Sequence, residues 1–461
     1  MNKTLKIVLG AVYVLVLGLL SFLYRFITDF PIGDDPAIHA SKIKTVSYVG
    51  LLSTDYPIPL FIYKLLHQIS GIPAEKLFVI LICSFLFLAG LAVWLLAKKI
   101  SGSNLIAVFS SLIFVTSYWT FDGLRMGLLP ETFGWLILAL TLYFLASQSL
   151  VWLTVFSILL PLSHPYSFAV YVLIFILYGL ITIIFGQKKE KQFIWRMILI
   201  YLAIIILAVI IRPTLLTKFS GFVNPEVIGW GERNFFVWLT ASQKRRIFLA
   251  VFAIIGIVSS LKNIKDFKFR LLYLVLFVGM FMAMNQYFGI RFQVFRFSPY
   301  LELPLAIFAA LGIGRVVEIF ELKRSYKYLG ILALSAIILL PQIYANERVT
   351  YGMSKIAENN NSMSEADQAA IAWIGQNVAK DAVIQAPYKW RIWITALTNH
   401  QNFVTDEAVY TVEIWGTPES YSGDYLYWPT AIYPLSKDIR EDSRLEKVFE
   451  QDKTIIFKVK K

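Results

Sequence analysis

The sequence has a single cysteine, Cys83, in 461 residues. That excludes a disulfide within the chain and a multi-thiolate metal site. Charge is scarce as well. Charged residues make up 16% and hydrophobic residues 57% of the chain, with a mean hydropathy of +0.64. A soluble domain carries roughly a quarter charged residues, and a chain this apolar has no way to hide its surface in water. No P-loop, GxGxxG or HExxH pattern occurs, which argues against nucleotide-driven chemistry on the cytoplasmic side. No internal repeat at a fixed period is present, and the low-complexity content is limited to Asn359–Asn361.

Long uncharged runs take the place of what is missing. Residues 77–97 and 198–211 contain no charge, and a membrane span needs about 20 mainly apolar residues. The first run, Leu5 to Tyr24, is longer than a signal-peptide core and lacks a small-residue cleavage site, so it reads as a retained helix. Spans are expected at 5–27, 77–97, 103–119, 130–147, 150–163, 165–186, 197–216, 247–261, 271–288, 297–318 and 328–344. The fold class is therefore a polytopic α-helical membrane protein of about 11 transmembrane helices.

The net charge of +13 is read as membrane topology and not as nucleic-acid binding, because the basic residues cluster in particular loops. With the N-terminus, Lys3 and Lys6 in the cytoplasm, the inside loops carry four groups. These are Lys98 and Lys99; Lys188, Lys189, Lys191 and Arg196; Lys262, Lys265, Lys268 and Arg270; and Lys323, Arg324 and Lys327. Lys244, Arg245 and Arg246 form an outside cluster that breaks the rule. The segments 28–75, 217–245 and 345–461 then lie outside. Residues 1–344 are expected to form the membrane domain. The tail 345–461 reads as a small extracytoplasmic α/β domain. It has a capping-box spacing at Ser364 and Asp367, an amphipathic helix over 365–378, and strands at Ala382–Gln385, Asn402–Val404 and Thr454–Val459.

Candidate chemistry clusters at the outer face. Just past the first helix stands Pro31-Ile32-Gly33-Asp34-Asp35-Pro36-Ala37-Ile38-His39. A carboxylate in this irregular turn can serve as a general base toward a hydroxyl. Alternatively Asp34, Asp35 and His39 hold a divalent cation, Mg or Mn; a third reading has Asp35 capping the helix that follows. The aromatic stretch Phe61–Ile69, with Lys64 and His67 within it, is either an interfacial helix or one packed over the bundle. The second outer loop offers Asp122, Arg125 and, at the start of a long apolar helix, Glu131; a structural ion pair is the plain alternative. His164 sits in a Ser163-His164-Pro165 turn, which suits a hydrogen-bonded turn residue. Arg291 and Arg296 lie at the outer ends of two helices, where a guanidinium matches phosphate oxygens or snorkels to headgroups. Glu302, deeper in the second of those helices, needs a partner.

In that order these features resemble the GT-C superfamily of membrane glycosyltransferases. The acidic motif Gly33-Asp34-Asp35-Pro36 with His39 comes first, then Tyr56-Pro57-Ile58-Pro59-Leu60. Asp122 and Leu129-Pro130-Glu131 follow, then the Ser-His-Pro turn, then Arg296-Phe297 late in the bundle, and the closing segment Phe449–Phe457. The resemblance implies a polyprenyl-phosphate-linked sugar donor in the lipid bilayer and a glycan, lipid or protein acceptor. Asp34 or Asp35 would be the base, Arg296 or Arg291 the group stabilising the leaving phosphate, with Arg125 in reserve. Glu131 or Asp122 would be the second acid, and the transfer would invert the anomeric centre. The early tail reads Ala386-Pro387-Tyr388-Lys389-Trp390-Arg391-Ile392-Trp393, without the Trp-Trp-Asp-Tyr-Gly motif of oligosaccharyltransferases. A single-sugar transferase fits better. The other function classes weighed are a polytopic transporter or lipid flippase, and an inactive scaffold. The scaffold's Tyr388, Trp390, Trp393, Trp415, Tyr421, Tyr425, Tyr427 and Trp428 would stack on envelope polymer. An absence of Gly/Pro-broken helix pairs in matching halves argues against the transporter.

Overall fold

A computed structural model describes residues 3–27, 35–125, 127–211, 235–284, 294–320, 330–344, 346, 363–404, 421–430, 433, 435 and 437–460. Asp34, Arg291 and Trp415 lie outside the described residues, as do the side chains of Asp122, Arg125, Arg296 and Tyr388. The chain divides into two compact units. One comprises Met1–Leu23, Ile82–Leu124 and Pro130–Glu347; the other comprises Tyr24–Leu81, Arg125–Leu129 and Arg348–Lys461.

The first unit is helical, and most of its helices cover the apolar runs, but Lys188–Ile211 starts in a basic cluster and Phe235–Ser260, expected from 247, also takes in Lys244, Arg245 and Arg246. The helices include Lys3–Ser21, Leu129–Ser147, Leu150–Ser163, Pro165–Phe185, Lys188–Ile211, Phe235–Ser260, Phe267–Ala283, Val294–Ile319 and Gly330–Tyr344. Among the described residues Ala74–Ser101, Leu129–Ser147, Pro165–Phe185 and Phe297–Ile319 are long and apolar enough to cross a membrane. Where one span was expected over 103–119, two helices stand. Asn104–Thr116 stops because Ser117 adopts extended backbone (φ −63°, ψ 146°), and Tyr118–Arg125 follows. Large apolar side chains such as Leu202, Ile206, Ile254 and Val258 are exposed. In water such a surface would be a liability; hydrocarbon accepts it, provided the backbone is satisfied within helices.

Two glycines set a close helix contact in this unit. A Cβ on Gly256 would lie 1.8 Å from the Phe308 carbonyl oxygen, and one on Gly312 would lie 1.9 Å from that of Phe252. Phe235–Ser260 and Val294–Ile319 therefore touch backbone to backbone, the small-residue packing that apolar helices use without a hydrophobic driving force.

The second unit joins three stretches far apart in sequence. Helices Asp35–Thr45, Tyr48–Leu51 and Pro57–Ser70 fold together with the tail. Asp35–Thr45 packs along the tail helix Tyr388–Thr398. Pro57, at the first helical position, starts its helix where a missing N–H does no harm; Gly71 ends it in the left-handed region (φ 66°). In the tail, the capping box at Ser364 and Asp367 starts the helix Glu365–Asn377 as the spacing predicts. The sheet contains five strands, β1 (Ile384–Gln385), β2 (Phe403–Val404), β3 (Tyr425–Pro429), β4 (Leu445–Gln451) and β5 (Thr454–Val459), in the order β2-β1-β3-β5-β4. β1 runs parallel to β2 and β3, and β5 antiparallel to β3 and β4. Leu426, Trp428, Ile439, Ile455 and Phe457 form one hydrophobic core on this sheet.

Candidate functional site

In the second unit Asp35 is the first residue of the helix Asp35–Thr45, and His39 is one turn further on. The far end of this helix is held by Lys64, which is buried. Its ammonium donates to the carbonyl oxygens of Ile43 and Val46, both at 2.7 Å, and lies 5.3 Å from the centre of the Tyr48 ring. These are the carbonyls a helix C-terminus leaves without partners, and a cation there also complements the helix dipole. Lys44 donates to the carbonyl of Ala396 in the tail helix. The acidic motif is thus carried on a helix fastened at its far end and along its side.

His39 is almost completely buried, edge-on to Tyr56 (5.4 Å) and stacked near Phe78 (6.2 Å). Burial, and secondarily the nearby Lys42 cation, push its pKa down to about 3. It is a neutral ring at physiological pH. Among the described residues no three His, Cys, Asp or Glu side chains converge in a way that would hold a metal ion.

In the first unit Glu131 sits, buried, in the first turn of Leu129–Ser147. One turn on, a Cβ at Gly134 would meet Ser167 Oγ at 2.5 Å and His164 Cβ at 2.6 Å, so that helix lies directly against the Ser-His-Pro turn. Likewise a Cβ at Gly123, next to Asp122, would meet the Trp135 ring at 2.5 Å. His164 caps Pro165–Phe185, accepting from the Ser167 N–H at 3.4 Å. Its Nδ1 is also 2.9 Å from Tyr300 Oη, and Ser167 Oγ is 2.8 Å from the same hydroxyl. Tyr300 stands one turn after Arg296 on Val294–Ile319, and the buried Glu302 follows.

Within this unit the structure therefore gathers the helices that bear Asp122, Glu131, His164 and Arg296. Ser167 and Tyr300 did not stand out in the sequence. The only sign of Ser167 was a hydroxyl three residues after a histidine at a helix start; Tyr300 gave no local sign. Of the aromatics that a polymer-binding scaffold would present, Trp390, Trp393, Tyr427 and Trp428 are buried in the tail's core.

No family model matches the chain, and no curated protein matches it. Solved structures do. ArnT from Cupriavidus metallidurans bound to undecaprenyl phosphate superposes with a TM-score of 0.66 at 10% identity, over 99% of this chain and 98% of that one. The same ArnT in the apo state gives 0.59 at 10% identity, with the same coverage. The arabinofuranosyltransferase AftD from Mycobacteria gives 0.60 at 14% identity, over 98% of this chain and 40% of AftD. ArnT and AftD are GT-C glycosyltransferases, and the fold of this chain is the GT-C fold.

Proposed function

We propose that this protein is an integral membrane glycosyltransferase that takes a sugar from a polyprenyl-phosphate donor and transfers it to an acceptor at the extracytoplasmic face. The observation that carries this reading is the superposition on undecaprenyl phosphate-bound ArnT over nearly the full length of both chains. Residues 1–344, with eleven spans and a cytoplasmic N-terminus, form the catalytic membrane domain, and 345–461 the extracytoplasmic domain. The basic inside loops support that orientation.

Asp34 or Asp35 removes the proton of the acceptor hydroxyl. The acceptor oxygen attacks the anomeric carbon as the bond from that carbon to the phosphate oxygen breaks, and the electron pair leaves with polyprenyl phosphate. Attack opposite the leaving group inverts the centre. Arg296 or Arg291 stabilises the charge that grows on the phosphate, with Arg125 in reserve. Glu131 or Asp122 binds sugar hydroxyls. His164, fastened to Tyr300, anchors the helix that carries Arg296, while His39 packs neutral beneath the acidic motif.

The test is polyprenyl phosphate release by purified protein from undecaprenyl phosphate-linked arabinofuranose, mannose and glucose, with an acceptor-rich membrane extract present. Release by the wild type that Asp34→Asn or Asp35→Asn abolishes, with folding intact, supports the reading and identifies the base. No release from any donor shifts the weight to transport or scaffolding.

A further inference from the structure

The helix Gly330–Tyr344 is two-faced. Leu332, Leu340 and Tyr344 are 58%, 64% and 61% exposed, whereas Gln342 is 3% exposed and Asn346, just beyond the helix, 1%. Ser335 and Ile338 are buried too. These four positions, spaced by three, four and four residues, make one stripe, and three of them are polar. An apolar outer face opposite a polar buried stripe is the pattern of a helix that meets lipid on one side and something polar on the other.

Helix-to-helix hydrogen bonding explains only part of the stripe. Asn346 Nδ2 donates to the Thr116 carbonyl at 2.8 Å, and Thr116 Oγ1 lies 3.4 Å from Gln342 Oε1. Among the described residues Gln342 Nε2, Asn346 Oδ1 and Ser335 Oγ are buried with no hydrogen-bond partner. A buried polar atom left this way carries a desolvation penalty that no partner offsets. One free donor and one free acceptor, a turn apart, match the two roles of a hydroxyl group, which accepts one hydrogen bond and donates one. Nearby, Thr116, Ser117 and Thr120 are also buried, with Ser117 Oγ 2.7 Å from Thr120 Oγ1. None of these six side chains is charged, so the cluster suits a neutral polyol and not a phosphate. Asp122 comes two residues after Thr120, on the same short helix.

We infer that Gln342 and Asn346, braced by Thr116, form a subsite that binds a hydroxyl group of the transferred sugar. This rests on the glycosyltransferase reading above, and gives the last membrane helix a part in choosing the sugar.

The experiment measures release kinetics from the same undecaprenyl phosphate-linked arabinofuranose, mannose and glucose, and from monodeoxy analogues of whichever is turned over. Gln342→Met and the shortened amide Gln342→Asn are compared with the wild type, and thermal unfolding is followed in detergent. The expected result is a rise of about tenfold in donor KM with kcat changed far less, and at least one monodeoxy donor that the wild type handles as poorly as the variants do. A folded Gln342→Met or Gln342→Asn protein with donor KM within about twofold of wild type overturns the subsite and leaves the amides as helix-packing groups. Equal use of every monodeoxy donor by the wild type overturns it too, even where both variants fail to fold. Turnover of no donor by the wild type overturns the glycosyltransferase reading itself, and the subsite with it.

Discussion

Lys64 Nζ donates a 2.7 Å hydrogen bond to the carbonyl oxygen of Ile43, closing the end of the helix whose first residue is Asp35. A buried ammonium in this place has a structural task, since its second bond goes to Val46. Replacing it with methionine keeps the length and removes both bonds. Lys64→Met is expected to lower stability by about 1–3 kcal/mol, read by thermal unfolding in detergent. An unchanged midpoint would show that the cap does not hold this helix.

His39 sets a pH dependence. Its ring stays neutral in the folded chain down to pH about 3, whereas an exposed histidine protonates near 6.5. Between those values the unfolded chain binds the extra proton. The stability His39 contributes is complete above 6.5 and is lost as pH falls toward 3. Unfolding midpoints of wild type and His39→Phe, measured between about pH 7 and 4.5, are expected to diverge, with the wild type falling more steeply. Parallel curves would contradict a neutral buried ring.

The contact of Gly256 with Gly312's helix leaves no space for a methyl group. Gly312→Ala is expected to cost about 1–3 kcal/mol or more, through forced separation of two helices. Gly10→Ala is the control, since a Cβ there meets nothing within 4 Å; it is expected to gain up to about 1 kcal/mol from helix propensity. Equal behaviour of the two variants would argue against the close approach.

Asp367 is more than the capping-box partner of Ser364. Its carboxylate accepts from the Ser364 N–H at 3.1 Å, from Thr454 Oγ1 at 2.8 Å, and from the Tyr427 hydroxyl. It therefore ties the helix Glu365–Asn377 to β3 and β5. Asp367→Ala is expected to destabilise the tail by about 3 kcal/mol, as a rise in proteolysis within 363–460.

For Arg296, the glycosyltransferase reading predicts that methionine at this position lowers polyprenyl phosphate release by roughly 100-fold, mostly in kcat, because the cation acts on charge that develops during bond breaking. A loss confined to KM would make Arg296 a binding group only.

Much of the helical fold was legible in the sequence. Most apolar runs and the capping spacing Ser364–Asp367 became helices, with 103–119 split in two, and the last strand, Thr454–Val459, has the expected bounds although its first four residues are all buried. β3 and β4 went unseen for different reasons. Tyr425–Pro429 is apolar or aromatic throughout and, but for Tyr425, buried, so it lacks the alternation of a half-exposed strand. Leu445–Gln451 is a charged edge strand, mostly exposed, whose pairing with β5 is all that defines it. The site divides in the same way. Asp35, His39, Glu131 and His164 announced themselves as polar groups beside apolar helices. Tyr300, Lys64 and Gln342 did not, because each is defined by a partner tens or hundreds of residues away.

The sequence by itself determined that this chain is membrane-bound and mostly helical. Hydropathy and charge are sums over neighbouring residues and need no knowledge of contacts. Tertiary structure alone decided that residues 35–70 fold with the tail, that Lys64 spends its charge on a helix end, and that Gln342 and Asn346 are buried with one donor and one acceptor unpaired among the described residues. Those outcomes depend on which distant backbone and side-chain atoms come within hydrogen-bond range once the helices pack, and no local pattern encodes that distance.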